Sequence, residues 1–373
     1  MKYKLKDILL VIIFFSILFI TFIVNIVKED ELISVSERRK LASFPNLNTV
    51  FNGDYTGKFE SYATDQFIER DLFREIKETI EFNFFFKKYN NDLFIKDGKI
   101  YKNIGKLNEN ELKKAAGKFN AVYDKYLNKD NESVNNVYYS IVPDKGYYLE
   151  DNIFKLDVGK IEEILKENLY YNFKYIDIKN ELNKDDYYNT DIHWKQENLG
   201  KVVEKINYEM ERETLLSNYQ ILSKGKFKGG YSGQLATSDE LFDYLNYISL
   251  EEIENAETYN YETGKKALVY DSAKWEKSND KYDLYLSGAT PLIEIRNENY
   301  EKTNDNKNKN LIIFRDSFAS SLAPLLISNY EKITLVDLRY ITTDLVGNFI
   351  SFDESDVLFL YSDSVLNSSS MLK

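Results

Sequence analysis

Residues 311–318 read LIIFRDSF, and this stretch decides the fold of the chain. The first four residues of this stretch are all apolar, and they predict a short strand that is buried on both faces. Two more strands of this kind are predicted at 333–336 and 357–361, with a helix at 318–330 between the first and the second and a shorter helix after the second. Pro324 either kinks the first helix or marks its true start. Continuous apolar strands that alternate with helices indicate an α/β fold, with a parallel sheet and helices on both faces.

Ser317 follows the first of these strands, where parallel sheets bind their ligands. A hydroxyl group in this position is exposed at the edge of the sheet, and the N–H groups of the next helix point towards any oxyanion that forms there. A serine needs a base to become a good nucleophile. The alternative is that Asp316 or Ser317 only caps the helix. Ser364 also follows a predicted strand, but the nine residues after it are too few for a helix that frames an oxyanion.

The chain has a single histidine, His193, in the tetrapeptide Asp191-Ile192-His193-Trp194. Residues i and i+2 of an extended stretch point to the same side, so Asp191 can reach the imidazole of His193. Histidine takes up and returns protons near neutral pH, and a carboxylate that fixes its tautomer completes a hydrolase triad. The alternative is a partly buried histidine whose hydrogen bond serves the structure only.

The composition excludes several classes of function. The net charge is −12 and the acidic residues are spread along the chain, which argues against a nucleic-acid surface. The absence of cysteine excludes disulfides and thiolate chemistry, and with one histidine it also excludes the common zinc sites. A calcium or magnesium site made of carboxylates stays open, but no ligand loop has the required spacing. We therefore predict neither a metal site nor a cofactor.

The N-terminal segment 1–30 is predicted to anchor the protein in the cell membrane. Three lysines precede residues 8–27, a run of twenty residues without a charge, which is about the length that a helix needs to cross a bilayer. The lysines favour a cytoplasmic N-terminus, so the rest of this single-pass protein is expected outside the cytoplasm. The alternative is a long signal peptide that is cleaved, although no small-residue cleavage pattern follows the run.

The remainder divides into two predicted parts. Residues 31–105 are expected to form an N-terminal extension that packs on the main domain, which covers 106–373. Within the main domain, residues 216–305 are hard to assign, and we predict an insertion over the site rather than a separate domain. The other predicted elements are helices at 59–90, 107–126, 161–169 and 196–215 and strands at 137–142 and 175–178.

The two motifs around His193 and Ser317 together resemble the DHHW family of exported proteins. That family is similar to the periplasmic alginate O-acetylation proteins, which contain an SGNH-hydrolase-like domain. Seven further blocks match the family in order, and they span residues 38–361. These blocks are Arg38–Pro45, Asp65–Asp71, Val142–Lys145, Tyr188–Asp191, Asp316–Leu326, Val336–Tyr340 and Asp356–Tyr361.

The resemblance implies an SGNH-hydrolase-like α/β domain with Ser317 as nucleophile, His193 as general base and acid, and Asp191 as the residue that orients the imidazole. This sequence departs from the family pattern in two places. Ile192 stands where the family name has His, and we expect it to point away from the site. Arg315 stands where SGNH enzymes have Gly, so their oxyanion donors cannot be carried over.

Other candidate site residues are less firmly indicated. The backbone N–H of Ser317 and a residue of the turn 230–233 are the candidate oxyanion donors. Lys145 and Arg339 each lie just past a predicted strand end and are candidates for holding an acidic or carbonyl group of a substrate; the alternative for both is a solvated surface position. Tyr231, in the glycine-rich turn, is the third substrate-binding candidate.

The resemblance therefore implies a membrane-anchored, extracytoplasmic O-acyltransferase, with acetyl as the expected acyl group and a cell-surface polysaccharide as the substrate. A membrane-bound O-acyltransferase is the implied acyl donor. One alternative is a carbohydrate acetylesterase with the same triad and water as the acceptor. Another is a non-catalytic polysaccharide-binding or assembly protein that keeps the fold. The sequence does not separate acyl transfer from hydrolysis.

Overall fold

The computed structural model describes residues 5–46, 53–84, 89–90, 92–128, 136–150, 154–213, 216, 218–236, 241–300 and 308–373. The chain forms two compact units, which are described separately. The smaller unit contains Met1–Asn91 and Ser232–Glu240, and the larger contains Asp92–Tyr231 and Leu241–Lys373. The division falls after Asn91 and not after the predicted residue 105.

The secondary structure elements are numbered here in chain order. The helices are α1 (Leu5–Val27), α2 (Tyr55–Asp65), α3 (Arg70–Phe84), α4 (Glu109–Val122), α5 (Val158–Asn168), α6 (Gly200–Glu209), α7 (Gly230–Leu235), α8 (Glu251–Glu254), α9 (Ser272–Lys277), α10 (Ala319–Leu322), α11 (Thr343–Val346) and α12 (Asp363–Leu366). The strands are β1 (Ile33–Ser34), β2 (Arg39–Lys40), β3 (Tyr89–Asn90), β4 (Leu93–Lys96), β5 (Lys99–Lys102), β6 (Val137–Val142), β7 (Phe173–Tyr175), β8 (Gln220–Phe227), β9 (Asp243–Ser249), β10 (Glu257–Asn260), β11 (Lys265–Ala267), β12 (Leu292–Arg296), β13 (Asn310–Arg315), β14 (Lys332–Val336) and β15 (Ser355–Ser362).

An eight-stranded sheet forms the centre of the larger unit, with the strand order β11-β10-β12-β14-β13-β15-β6-β7. Strands β14, β13, β15, β6 and β7 are parallel to one another. The three strands predicted from the C-terminal 63 residues are thus the neighbours β14, β13 and β15. Every residue of β6 and β15 is buried, as expected for parallel strands that are covered on both faces. The predicted α/β fold class is confirmed.

Alternate residues of β13 contact opposite faces of the sheet, and helices cover both faces. Ile312 and Phe314 pack with the buried residues of α4 and α5. Leu311 and Ile313 pack on the other side, in the cluster that contains α6. The apolar side chains of α6 are therefore turned to the core. Helix α4 begins after Asn108, whose side chain accepts a hydrogen bond from the N–H of Glu111 at 3.3 Å.

Residues 216–305, predicted as an insertion over the site, contribute three strands to the sheet. β10, β11 and β12 add an antiparallel edge beyond β14. β12 is buried over Leu292–Ile295, so this part of the chain belongs to the core. Strand β8 pairs only with β9, in a separate two-stranded sheet. β11 is the edge strand and β10 lies next to it, and both are so short (three and four residues) that their sequences carry no long apolar run that would have revealed them.

Two predicted helices differ from the structure. The helix predicted at 318–330 is a single turn of α-helix, α10, followed by a 3₁₀ helix at Ala323–Asn329. Pro324 lies at the start of the 3₁₀ segment, where its missing N–H costs no hydrogen bond in the middle of a helix. The helix predicted at 59–90 is divided into α2 and α3, and its residues 85–88 lie outside the described part of the chain.

The smaller unit begins with α1. Among the described residues, α1 is the one helix long and apolar enough to cross a membrane, and none of its residues is buried. Helices α2 and α3 follow in the chain. Gln66, between them, donates to the carbonyl oxygens of Glu31 and Ala42 and accepts from the N–H of Glu31. These bonds connect the segment after α1 to the turn between α2 and α3.

Candidate active site

Ser317 lies two residues beyond the end of β13, at the carboxyl ends of the parallel strands. The turn is held by the buried carboxylate of Asp316. One oxygen of Asp316 accepts the N–H of Phe318 at 3.1 Å, and the other accepts the N–H of Ser362, at the end of the neighbouring strand β15, at 2.7 Å. Neither residue caps α10, whose N-cap position is Phe318 and has no side-chain hydrogen bond. Asp316 instead holds the turn before the helix, and the hydroxyl of Ser317 has a different partner.

That partner is His193. Its Nε2 lies 2.7 Å from the Oγ of Ser317, and its Nδ1 lies 2.6 Å from the Oδ1 of Asp191. Asp191 and His193 are both buried, and Ser317 is partly exposed. With the proton on Nδ1 donated to the carboxylate, Nε2 is free to accept the proton of the serine hydroxyl. This order of groups can make a serine nucleophilic.

The carboxylate of Asp191 is held in place by backbone donors. Its Oδ2 accepts the N–H of Gly230 at 2.7 Å, and its Oδ1 also accepts the N–H of His193 at 3.2 Å. Gly229 passes so close to this segment that a side chain there would clash with the Cβ of Asp191 and the carbonyl group of Thr190. Gly229 is therefore needed for the close approach to the acidic residue.

Asp243, at the start of β9, fixes the segment before Asp191. Its carboxylate accepts the N–H of Asn189 at 2.8 Å, and the N–H and hydroxyl of Thr190 at 2.7 and 2.6 Å. The hydroxyl oxygen of Thr190 in turn accepts the N–H of Gly229 at 2.8 Å. This buried series of bonds orients Asp191, and no spacing in the sequence indicated that Asp243 takes part in it.

The imidazole of His193 is also held by aromatic contacts. The ring of Tyr282 stacks on it with a centroid distance of 3.8 Å and an angle of 7° between the planes. The hydroxyls of Tyr282 and Ser321 lie 2.6 Å apart. Trp194, fully buried, donates from Nε1 to the Oγ of Ser321 at 2.9 Å and to the carbonyl oxygen of Phe318 at 3.1 Å. Trp194 thus links the histidine segment to the first turn after Ser317.

Lys145 is not placed to contact a substrate, in contrast to the prediction from sequence. Its side chain is fully buried, and Nζ donates to the carbonyl oxygens of Tyr188, Asn189 and Asp191 at 2.9, 3.3 and 2.8 Å. Burial lowers the pKa of its ammonium group to about 8. Lys145 does lie just after the end of β6, but its charged group holds the backbone that carries Asp191.

The other two predicted substrate-binding residues differ in exposure. The side chain of Tyr231 is buried, its ring lies 5.0 Å from the Nζ of Lys145, and its hydroxyl has no hydrogen-bond partner among the described residues. The side chain of Tyr231 is therefore not exposed for direct contact with a substrate. Arg339 is partly exposed and binds both carboxylate oxygens of Asp337, with Nε and Nη2 at 2.9 and 2.6 Å. Arg339 keeps a donor-bearing face in reach of solvent at the end of β14.

Arg315, the residue at the SGNH glycine position, is buried beneath the turn. Its Nη1 donates to the hydroxyl of Ser320 at 3.1 Å and lies 3.9 Å from the carboxylate of Asp337, which it shares with Arg339. Burial lowers the pKa of Arg315, and the charge of Asp337 opposes this effect. Arg315 therefore supports the strand end from inside.

Hydrogen bonds made by the turn at 230–231 exclude some of the candidate oxyanion donors. The N–H of Gly230 is used by Asp191, and the N–H of Tyr231 donates to the carbonyl oxygen of Thr190 at 3.0 Å. The turn at 230–231 therefore does not supply the donor that was expected from it. Since α10 has only four residues, its dipole adds less to the site than the predicted long helix would. The backbone N–H of Ser317 remains a candidate, together with residues 232 and 233 of the turn.

Two buried carboxyl groups lie at adjacent strand ends near the site. Asp144 follows β6, and Asp363 follows β15, and the N–H of Asp144 donates to Oδ2 of Asp363 at 3.0 Å. Within the part of the chain that the structure describes, one oxygen of each residue has no hydrogen-bond partner. Burial and the neighbouring charge of Asp144 raise the pKa of Asp363 to about 8. The described residues contain no group of three His, Cys, Asp or Glu residues that could hold a metal ion.

The α/β architecture of this chain is shared with solved structures of other proteins. The chain is 19% identical to a DHHW family protein from Eubacterium siraeum, with a TM-score of 0.58 over 76% of this chain and 97% of that chain. Bacillus cereus PatB1 is also 19% identical, with a TM-score of 0.56 over 74% of this chain and 97% of that chain. The O-acetyltransferase domain of Pseudomonas putida AlgJ is a weaker match, at 11% identity and a TM-score of 0.43 over 74% and 92%.

The predicted resemblance to the DHHW family is confirmed by these structures, at the level of the fold that such identities show. A family protein of known structure shares its architecture with three quarters of this chain. No protein-family model and no curated protein sequence matches the chain.

Proposed function

We propose that this protein is a membrane-anchored, extracytoplasmic O-acyltransferase that transfers an acetyl group to a cell-surface polysaccharide through Ser317, His193 and Asp191. The observation that carries the proposal is the position of His193, whose two ring nitrogens lie 2.6 Å from Asp191 and 2.7 Å from Ser317. A histidine kept only for structure needs one such partner. Here it joins a buried carboxylate to a partly exposed hydroxyl at the strand ends, where sheets of this kind bind ligands.

In the proposed first step, the Oγ of Ser317 attacks the carbonyl carbon of the acyl donor. Nε2 of His193 takes the hydroxyl proton, and the imidazolium is stabilised by the carboxylate of Asp191. The backbone N–H of Ser317 is a candidate donor to the oxyanion. Breakdown of the tetrahedral intermediate expels the leaving group with the proton from His193, and leaves the acyl group on Ser317.

In the second step, a sugar hydroxyl attacks the acyl group on Ser317. His193 takes the proton of the incoming hydroxyl and returns it to the Oγ of Ser317 when the ester bond to the enzyme breaks. The products are an O-acylated sugar and free enzyme, so no cofactor or oxidant is needed. Water in place of the sugar would give hydrolysis, which is the esterase alternative.

The proposed anchoring rests on α1. Its 23 residues have no buried side chain, and a membrane-spanning helix needs about 20 apolar residues. Three lysines before the apolar run favour the cytoplasmic side for the N-terminus. A membrane-bound O-acyltransferase as acyl donor fits this placement and is part of the proposal. Arg339 is the proposed contact to an acidic or carbonyl group of the substrate.

The experiment uses the full-length protein in detergent, with p-nitrophenyl acetate as donor and a neutral oligosaccharide as acceptor. We expect release of nitrophenol together with acetylated oligosaccharide, which mass spectrometry detects. Ser317→Ala should abolish both products. The matched control, Ser364→Ala, should keep both, because the Oγ of Ser364 lies beside Ser362 and His193 is bound to Ser317.

Two results would count against the proposal in different ways. If the protein releases nitrophenol and acetate but acetylates neither neutral nor acidic oligosaccharides, the result would favour the esterase. If Ser317→Ala and the unchanged protein release nitrophenol equally, Ser317 is not the nucleophile. This result would favour a binding or assembly role for the protein.

A further inference from the structure

Helix α3 in the smaller unit carries an exposed apolar face. Leu72, Phe73, Ile76 and Ile80 are 50%, 55%, 45% and 43% exposed. Their spacing puts them on one side of the helix, since residues three and four apart are neighbours on a helix surface. A contiguous exposed apolar strip of this kind marks a site of interaction with a protein or a membrane.

The opposite side of α3 is charged, and its charges are engaged within the same unit. Arg74 donates to the carbonyl oxygen of Gln234 at 2.8 Å and lies 3.3 Å from the carboxylate of Glu37. Arg70 lies 2.6 Å from the same carboxylate. The polar side of α3 is thus bound to the unit, and this leaves the apolar side facing outward.

The N-terminal end of α3 is attached to the end of α1. Asn25, in the last turn of α1, accepts the N–H of Ile68 on its Oδ1 at 2.8 Å. The hydroxyl of Tyr62 donates to Asp30 at 2.8 Å, and Gln66 binds the backbone of Glu31. The residues that lead into α3 therefore lie beside the point where the apolar run of α1 ends.

This attachment sets the depth of α3 relative to a bilayer. A helix of 23 residues is about 35 Å long, slightly more than the roughly 30 Å of the hydrocarbon core. Asn25 then lies in the interfacial layer, and Ile68 with it. Phe67, which is exposed, contacts Phe73 at a ring distance of 5.7 Å and extends the apolar strip towards this level. An amphipathic helix at this depth lies with its apolar side in the interface.

We propose that the apolar face formed by Leu72, Phe73, Ile76 and Ile80 lies on the outer surface of the membrane that α1 crosses. The occupant is the lipid of that bilayer. This inference rests on the anchoring proposed above and adds a second membrane contact to it. The smaller unit would then be held flat on the membrane and not on a single flexible tether.

The absence of cysteine gives a direct test, because a single introduced cysteine is the only labelling site. Full-length variants Leu72→Cys, Ile76→Cys and Glu75→Cys are labelled with an environment-sensitive fluorophore and reconstituted in phosphatidylcholine vesicles. Quenching is measured with lipids that carry a nitroxide near the headgroup, and with aqueous iodide. Glu75 is the matched control, since it is exposed on the polar side of the same helix turn.

We expect the lipid nitroxide to quench the labels at Leu72 and Ile76 at least about twofold more than the label at Glu75, and iodide to show the reverse order. Labels at Leu72 and Ile76 that are open to iodide would overturn the proposal, because the face would then be in water. Labels protected from both quenchers would also overturn it, because protein, either a second copy or another chain, would cover the face.

Phe15→Cys, in the middle of α1, separates this inference from the anchoring. A label there should be quenched by a nitroxide placed deep in the lipid chain. If it is quenched while Leu72 and Ile76 are not, the anchor stands and the surface contact is wrong. If the label at position 15 is not quenched, the proposed membrane anchoring is wrong, and the proposed contact of α3 with the membrane is wrong as well.

Discussion

The Nε2 of His193 lies 2.7 Å from the Oγ of Ser317, although 124 residues separate them in the chain. Two independent supports bring them together. Asp316 holds the serine turn against the end of β15, and Asp243 holds the backbone just before Asp191 and His193. The contact between His193 and Ser317 therefore depends on the sheet and its loops. Substitutions outside Ser317, His193 and Asp191 should affect it too.

The first prediction concerns the pair itself. His193→Ala and Ser317→Ala should each lower kcat/KM for p-nitrophenyl acetate by about three orders of magnitude or more, and the double variant should lose little beyond either one, because residues of a triad act as a unit. Steady-state rates of the three full-length variants give the result. Losses that multiply in the double variant would mean that the two side chains act separately.

The second prediction concerns Asp191. In Asp191→Asn the amide can still accept from the N–H of Gly230, but it no longer holds the proton of His193 on Nδ1. We expect kcat to fall by about two or more orders of magnitude, since the imidazole can then adopt the wrong tautomer. The melting temperature, which serves as the control, should stay close to that of the unchanged protein. Full activity of Asp191→Asn would favour a structural role for the histidine.

The third prediction concerns Lys145. Replacing it with Met removes the donor to three buried carbonyl oxygens, at Tyr188, Asn189 and Asp191, and an unsatisfied buried group costs about 1–3 kcal/mol. Lys145→Met should therefore lower both the melting temperature and the activity. Lys201→Met, at an exposed position of α6, is the matched control and should change neither.

This variant also decides between two roles for Lys145. A loss of activity with an unchanged melting temperature, together with a raised KM, would restore the substrate contact that the sequence suggested. A loss of both is the outcome that the buried position requires.

The fold could be predicted further from the sequence than the site could. The apolar runs of β13, β14 and β15 revealed the parallel part of the sheet, because buried parallel strands have continuous apolar sequences. Strands β10 and β11 were not predicted, since strands of three or four residues next to the edge of a sheet need no such run. The i, i+2 spacing of Asp191 and His193 is a local property of the chain, so their contact could be predicted, and the two side chains lie 2.6 Å apart in the structure.

The supports of the site depend on contacts between distant segments, and these leave no local signal. Asp243 contacts Thr190 across 53 residues of the chain, and Tyr282 stacks on His193 across a still longer stretch of sequence. Lys145 was assigned to the right strand end with the wrong role, since a sequence does not tell which lysine at a strand end is buried. The exposure of Lys145 depends on the segments, distant in sequence, that pack against it.

The fourth prediction concerns Asp363 and pH. Burial raises the pKa of Asp363 to about 8, so its protonated form is favoured in the folded protein. Its contribution to stability is therefore full below the ordinary carboxyl pKa and is lost as the pH rises from about 4 through about 8. We expect the melting temperature of the unchanged protein to fall between pH 5 and pH 8 by several degrees more than that of Asp363→Asn, roughly 2–4 °C for each kcal/mol.

Differential scanning calorimetry of both proteins across this range gives the comparison. The pKa of Asp144 is raised by burial as well, so part of the slope should persist in the variant. Parallel curves for the two proteins would contradict the account of this carboxyl pair.

The central claim, that His193 activates Ser317 as a nucleophile, is tested most directly by covalent trapping. Full-length protein is treated with an aryl sulfonyl fluoride, which modifies activated serine hydroxyls, and the adduct is located by mass spectrometry of peptides. The account predicts one adduct, on Ser317, which is absent from Ser317→Ala and strongly reduced in His193→Ala, with Ser364→Ala labelled like the unchanged protein. Labelling of Ser317 at the same rate with and without His193, or an adduct on Ser364 instead, would contradict it.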